Sequence, residues 1–317
     1  MQIFDAAATR APLAFERLVP ALHAAFAATD ITVPPRHVHP LRAGADHGTV
    51  LIMPAWSEAG FLGIKTVNIF AGNGARGLPG LHASYLLYDA HTGVPLALMD
   101  GDEITARRTA AASALGASFL AREDARRLLV LGTGRVARLL PAALTSVRPG
   151  IEQVTVWNHR PESAQALAQE WRAQGLDALA TPDLEAAVRD AHIVSCATLA
   201  TAPLVQGPWL APGSHLDLVG SFSPQMREAD PACFANGART FVDTDEALTK
   251  AGDLLDAIAA GTLREGDVQA TLAQLCRDER RGRIHASERT VFKAVGNALE
   301  DLAAATLVWQ AASAVPA

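Results

Sequence analysis

Three groups of residues in this chain have the makings of a site. The first is cationic. Lys65 stands inside an otherwise apolar strand-like run, GFLGIKTVN (60–68), and Arg107 and Arg108 stand side by side on an alanine-rich stretch, 105–120. On a helix, one of two adjacent residues generally faces inward, so one of the two arginines is expected to be functional. An inward arginine suits a carboxylate, because its planar N–H fork matches two oxygens. Arg42, upstream of the run Thr49–Met53, is a further candidate cation, and His82, after Gly80-Leu81, suits proton transfer near neutral pH. Each has a structural reading beside it: Lys65 as an edge-strand charge, the arginines as solvated helix charges, His82 as a surface residue.

The second group is a turn. The apolar run Leu128-Leu129-Val130-Leu131 ends at Gly132-Thr133-Gly134, with Arg135, Val136 and Ala137 opening a helix-favouring segment. In this G-x-G-x-x-A pattern, Gly132 permits the turn, Gly134 lets a pyrophosphate approach the backbone, and Ala137 lets the helix pack on the strand. The phosphates of a dinucleotide would sit on the N–H groups of the helix N-terminus. The third group ends the next strand. An acidic residue there would bind the ribose of NAD and repel a 2′-phosphate. The chain has Trp157-Asn158-His159-Arg160 instead. Arg160, with His159 or Arg135, can pair with a phosphate, so NADPH is favoured and NADH remains possible. The expected cofactor contacts are Gly132, Thr133, Gly134, Arg135 and Val136 at the turn, then Asn158, His159 and Arg160. Ala197, Thr198, Val219 and Gly220 add to them at the ends of two later strands.

These groups need particular elements to hold them. Residues 12–29 have helical spacing of Leu13, Phe15, Leu18, Leu22 and Phe26, with Pro20 inside. Residues 31–40 carry three prolines and read as an extended connection. Strand-like runs follow at 49–53, stopping at Pro54, and at 60–68. Runs at 82–89 and 94–99 suggest a hairpin. The glycine-rich 71–77 reads as a mobile loop. Residues 105–120 should be helical, capped by Asp102 or Thr105. Beyond 128, strands and helices alternate, and 291–312 reads as largely one long helix. This order predicts an α/β protein, with a Rossmann-type doubly wound parallel sheet plus a smaller α+β substrate and dimerisation domain. The smaller domain is expected over 1–120 and 291–317, the dinucleotide domain over 121–290.

Composition narrows the function. With 317 residues, half of them hydrophobic, the chain suits about two soluble domains. A net charge of -6 argues against a nucleic-acid partner. The cluster Arg277, Arg280, Arg281 and Arg283 is interrupted by acids and reads as solvated surface. The three cysteines form no metal pattern and no disulfide framework, and a reducing cytoplasm fits them. No secretory signal and no membrane span is evident.

Together the motifs resemble the ornithine cyclodeaminase/mu-crystallin family. They are ITARRTAA (104–111), Met53-Pro54, the G-x-K-x-V-N segment at 63–68, Gly101-Asp102, the turn at Gly132, Gly220-Ser221-Phe222-Ser223-Pro224 with Arg227-Glu228, and Val291-Phe292-Lys293-Ala294-Val295-Gly296. The resemblance spans nearly the whole chain. It implies a homodimer, substrate binding by Arg42, Lys65 and Arg108, and Arg108 on the substrate carboxylate. Two departures matter. The cyclodeaminases carry an aspartate where this chain has Phe222 and a glutamate where it has Leu51. Without those carboxylates the pocket, Phe222 included, should suit a substrate lacking a distal ammonium. The resemblance then points to reductases of the cyclic imino acids Δ1-pyrroline-2-carboxylate and Δ1-piperideine-2-carboxylate, using NAD(P)H. The proton for the imine nitrogen would come from water, Lys65 or His82. A lyase releasing ammonia from ornithine and a crystallin-like NADPH-binding protein stay as alternatives.

Overall fold

The computed structural model describes residues 1–43 and 46–313. The last four positions of the expected C-terminal segment, 314–317, lie outside the described residues. Contacts divide the chain into two compact units, Met1–Arg108 with Asn297–Ala317, and Thr109–Gly296.

The first unit opens with β1 (Gln2–Phe4), α1 (Ala6–Arg10) and α2 (Phe15–Ala27). The strands β2 (Ile31–Thr32), β3 (His37–Ala43), β4 (Asp46–Ser57), β5 (Phe61–Ile69), β6 (Leu81–Asp89) and β7 (Pro95–Asp100) follow, then α3 (Gly101–Leu120). The sheet runs β1-β7-β6-β5-β4-β2, with β3 also on β4, and only the β1–β7 pair is parallel. Alternation puts Met53, Ala55, Lys65, Val67, Tyr85, Leu87, Ala97 and Met99 on one buried face.

Several expectations change here. Residues 31–40 are not mere connection, since β2 and β3 both pair with β4. Pro54 does not stop its strand: β3 pairs with β4 only as far as Ile52 and β2 begins at Trp56, so the proline sits where no N–H is asked for on that side. The glycine-rich segment forms a 3₁₀ turn, Ala71–Arg76. The α3 helix starts earlier than expected. Asp100 Oδ1 accepts from Glu103 N at 2.8 Å, while Asp102 Oδ1 accepts from Ala83 N of β6 at 3.0 Å. At Gly101 a Cβ would lie 2.6 Å from Ser84 N, so only glycine lets the helix start against β6.

The second unit contains β8 (Arg127–Leu131), α4 (Arg135–Val147), β9 (Gln153–Trp157), α5 (Pro161–Ala173), β10 (Ala178–Ala180), α6 (Leu184–Asp190), β11 (Ile193–Cys196) and β12 (His215–Leu218). It goes on with β13 (Arg239–Val242), α7 (Ala247–Lys250), α8 (Gly252–Ala259), β14 (Ala270–Thr271), α9 (Leu272–Cys276) and β15 (Thr290–Lys293). The eight-stranded sheet runs β10-β9-β8-β11-β12-β15-β13-β14, and every pair is parallel. This is the doubly wound arrangement the alternation predicts, with the order reversing between β8 and β11.

Two boundaries move. The passage between units falls inside α3, not near Ala121, because residues such as Ser113 and Gly116 pack on β12 and β15 of the parallel sheet. The segment 291–312 is helical over most of its length but not at its start. Its first residues form β15, hydrogen-bonded between β12 and β13, and only α10 (Ala298–Ser313) returns to the first unit. The run Thr290–Lys293 is buried throughout, so it lacks the polar alternation that marks a strand. Arg283 is not solvated surface either: it donates to Leu120 O at 2.7 Å and Ser214 O at 3.1 Å, tying loops together.

Candidate functional site

The turn after β8 is built as the pattern requires. Gly132 has φ +109°, and a Cβ there would lie 2.5 Å from Ala197 O. Both the positive φ and the close approach of the chain leaving β11 demand glycine. Gly134 differs. Its φ of -75° suits any residue, and a Cβ would meet nothing within 4 Å. Nothing inside the protein needs a glycine there, and the open space leaves room for a group to approach the α4 N-terminus. Ala137 is fully buried against the sheet. At the end of β9, Asn158 donates from Nδ2 to Thr133 Oγ1 at 2.9 Å and accepts from Arg160 N at 2.9 Å. No carboxylate stands at that position, and His159, Arg160, Arg135 and Gly134 are exposed, with Val136 half-buried. These residues fit a dinucleotide: Gly134 and the α4 N–H groups would hold the pyrophosphate, and Asn158, His159 and Arg160 the adenosine end.

The remaining cofactor candidates lie at the ends of β11 and β12. Ala197 N donates to Leu131 O at 2.9 Å, and Val219 N to Cys196 O at 3.0 Å. Thr198 and Gly220 are joined by a buried carboxylate, Glu228. Phe222 follows this loop, half-buried, its ring packed on the apolar core of the second unit.

The first unit holds a separate cluster of charges. Lys65, 1% exposed, points from the buried face of β5 to Asp301 on α10, with Nζ 2.7 Å from Oδ1. Arg108 donates through Nε to the same oxygen at 2.9 Å and through a terminal nitrogen to Glu300 at 2.8 Å. Glu300 and Asp301 sit in the first turn of α10, where the helix dipole favours negative charge. Arg107 turns elsewhere, donating to Leu13 O at 3.0 Å with its guanidinium over the Phe15 ring. So one of the two adjacent arginines joins the buried cluster, and it is Arg108.

Electrostatics follow the packing. Burial lowers the Lys65 ammonium to about 8, with Asp301 opposing the shift. Burial alone would raise Asp301, but Lys65 and Arg108 outweigh it and hold the carboxyl below its usual range. Tyr85 faces Lys65 in register, and its hydroxyl, which finds no hydrogen-bond partner among the described residues, is pushed well above its ordinary range by burial. Leu51 lies on the same sheet face, two residues from Met53, the register partner of Lys65.

The other expected residues are placed differently. Arg42 is exposed on β3, opposite His47 in register. His82 is exposed on β6, three residues before Tyr85, so strand alternation turns it to the face opposite Lys65. The structure thus brings Lys65 and Arg108 onto one carboxylate and does not bring Arg42 or His82 to it. Glu300 and Asp301 escaped the sequence reading. The available signal was two consecutive acids leading an apolar helix with no basic residue to pair with along it.

The profile of the ornithine cyclodeaminase/mu-crystallin family matches residues 3–315. The chain is 42% identical over 278 residues to a Δ1-pyrroline-2-carboxylate reductase of Paracoccus denitrificans, covering 87% of this chain and 88% of the relative. Among solved structures, it resembles the Δ1-pyrroline-2-carboxylate reductase of Thermococcus litoralis in complex with NADH and L-proline. The TM-score is 0.92 at 31% identity, over 99% of this chain and 98% of the other. An archaeal alanine dehydrogenase dimer with bound NAD superposes with a TM-score of 0.90 at 27% identity, over 100% and 98% of the two chains. The chain belongs to the ornithine cyclodeaminase/mu-crystallin family.

Proposed function

We propose that this chain is an NAD(P)H-dependent reductase of small cyclic imino acids, forming L-proline from Δ1-pyrroline-2-carboxylate and L-pipecolate from Δ1-piperideine-2-carboxylate. The observation that carries the reading is the buried Lys65–Arg108 pair, with leucine at position 51 on the same sheet face where a cyclodeaminase carries an acid. Two cations can grip a substrate carboxylate, and an apolar neighbour gives a distal ammonium no partner. The named reductases of Paracoccus and Thermococcus support the same substrate class.

When bound, the nicotinamide supplies the hydride that reduces the C=N carbon. The protein's part is positioning. Arg108 and Lys65 hold the carboxylate, and Asp301 and Glu300 fix both cations beforehand, so little reorganisation accompanies binding. The four side chains sum to zero charge. A substrate pairing a carboxylate with a protonated imine is also neutral, and such a ligand adds no uncompensated charge to the buried cluster. Lys65 is a better proton source than His82, being buried in the cluster with its pKa brought toward neutrality. We further propose that NADPH is preferred, because Asn158-His159-Arg160 has no acid to repel a 2′-phosphate.

A homodimer through the first unit fits the open sheet face, where Pro54, Leu62, Ile64, Leu86 and Tyr88 are only half-buried and Trp56 is 39% exposed. A cytoplasmic setting fits the three buried free cysteines. No described helix is long and apolar enough to cross a membrane. The test is Arg108→Ala. Loss of a carboxylate contact that also sets geometry should lower kcat/KM for the cyclic imine by about a hundredfold or more. Near-wild-type kinetics would refute the assignment.

A further inference from the structure

One buried acid lies outside the cluster formed by Lys65, Arg108, Glu300 and Asp301. Glu228 is completely buried in the second unit, and its carboxylate is saturated by four donors. Oε1 accepts from Thr198 N at 2.7 Å and Thr198 Oγ1 at 2.8 Å; Oε2 accepts from Gly220 N at 2.9 Å and Ser221 N at 3.1 Å. Thr198 lies two residues past the end of β11, and Gly220 two past the end of β12. One side chain therefore ties together the two loops that leave the sheet on the far side of β8 from β9. Gly220 closes the interlock: a Cβ there would collide with Thr198 N, Thr198 O and Glu228 Oε1.

Glu228 is itself braced. Its N donates to Asp253 Oδ1 at 2.6 Å, and Ala229 N donates to the same oxygen at 3.0 Å. The other oxygen of Asp253 meets Lys293 Nζ at 3.0 Å and accepts from Ser221 Oγ, which accepts from Lys293 in turn. So much buried hydrogen bonding is spent on fixing one pair of loop ends rather than on filling a core.

In a doubly wound sheet, a dinucleotide lies across the carboxyl ends of the strands at the point where their order reverses. Here the pyrophosphate turn and the β9 end serve the adenosine side, which leaves the ends of β11 and β12 to the nicotinamide side. We propose that Glu228 is a positioning residue that sets the nicotinamide half of the cofactor site by clamping the Thr198 loop to the Gly220–Ser221 loop. This rests on the dinucleotide reading and names a residue that acts through backbone, not by touching substrate.

The clamp should also sense pH. The charged and titratable groups around Glu228 are Asp253 on α8, Lys293 on β15, Cys196 on β11 and, through that thiol, Asp217 on β12 and Cys233. Burial raises the carboxyl to about 7, with Lys293 opposing the shift. Only the ionised form accepts from all four donors, so acidification through neutral pH should loosen the two loops.

The experiment compares NADH with ADP-ribose, which carries only the adenosine side, on the full chain. In Glu228→Gln, an amide donor replaces an acceptor opposite backbone N–H groups. NADH affinity should fall about tenfold or more, while ADP-ribose affinity stays within about twofold. In the wild-type protein, NADH binding should weaken by up to about tenfold between pH 8 and pH 6, with ADP-ribose unchanged over that range and the glutamine variant flat. Equal loss of both ligands in the variant, or unchanged NADH binding, would overturn the proposal. If the variant does not fold, the wild-type titration decides: a constant NADH to ADP-ribose ratio from pH 8 to 6 refutes it. Wild-type protein that binds neither ligand would instead refute the dinucleotide reading.

Discussion

Replacing Asp301 by asparagine keeps the side chain's shape and removes the charge shared by Lys65 and Arg108. Its effect can be worked out in two parts that differ in pH dependence. Arg108 stays protonated at every accessible pH, so losing the ionic character of its 2.9 Å bond should cost about 1.5–3 kcal/mol throughout. Lys65 has an escape, because it can release its proton. Burial has already lowered it from 10.5 to about 8, against the pull of Asp301. Without Asp301 it falls further, so the species that gains from Asp301 is the protonated one. That gain is present below pH 8 and is lost as pH rises through this value. Linkage makes it on the order of 1–2 kcal/mol at neutral pH and below, and close to nothing by pH 9. The variant should then be less stable by about 3–4 kcal/mol at pH 7 but only about 1.5–3 at pH 9. Thermal melts of both proteins at matched pH read this directly. Tm should drop by about 6–12 °C at pH 7 and about 3–9 °C at pH 9. An equal drop at pH 6 and pH 9, or one below about 2 °C at pH 7, would refute the coupling of Lys65 to Asp301.

Two further outcomes follow from the same geometry. Because Lys65 must be charged to help hold a carboxylate, KM for the imino acid should rise about fivefold from pH 8 to pH 9, while the Kd for NADPH stays constant; steady-state kinetics against fluorescence titration separates the two. Gly134→Val should melt close to the wild type, since a Cβ there has no protein atom within 4 Å, yet lose NADPH affinity by about a hundredfold or more as the β-branched group occupies the phosphate position.

The sequence made the second unit legible because its strands end in residues with one use each. Gly132, Gly134 and Ala137 announce a tight strand-to-helix turn, and the structure shows a positive φ at Gly132, open space at Gly134 and full burial at Ala137. Lys65 was visible as a charge where a strand should be apolar. Choosing Arg108 over Arg107 needed the structure, since adjacent residues on a helix differ only in direction, and Arg107 found its partner in a carbonyl 94 residues away. Glu300 and Asp301 read as ordinary charges opening a helix; their role depends on a contact across more than 190 residues, which no local pattern encodes. The strand β15 was hidden for a related reason. It is buried between two parallel neighbours, so its four residues show no in-and-out alternation to set them apart from the helix that follows. Pro54 misled in the opposite sense, since a proline ends a strand only where its missing N–H would have been used.

The most direct measurement is turnover of purified protein with Δ1-pyrroline-2-carboxylate and Δ1-piperideine-2-carboxylate, followed by oxidation of NADPH and of NADH, with ammonia release from ornithine assayed in parallel. The expected result is loss of reduced nicotinamide matched one-to-one by L-proline or L-pipecolate, faster at low concentrations of NADPH than of NADH, with no ammonia from ornithine. Ammonia release from ornithine without net cofactor consumption, or tight NADPH binding with no turnover of either imine, would contradict it.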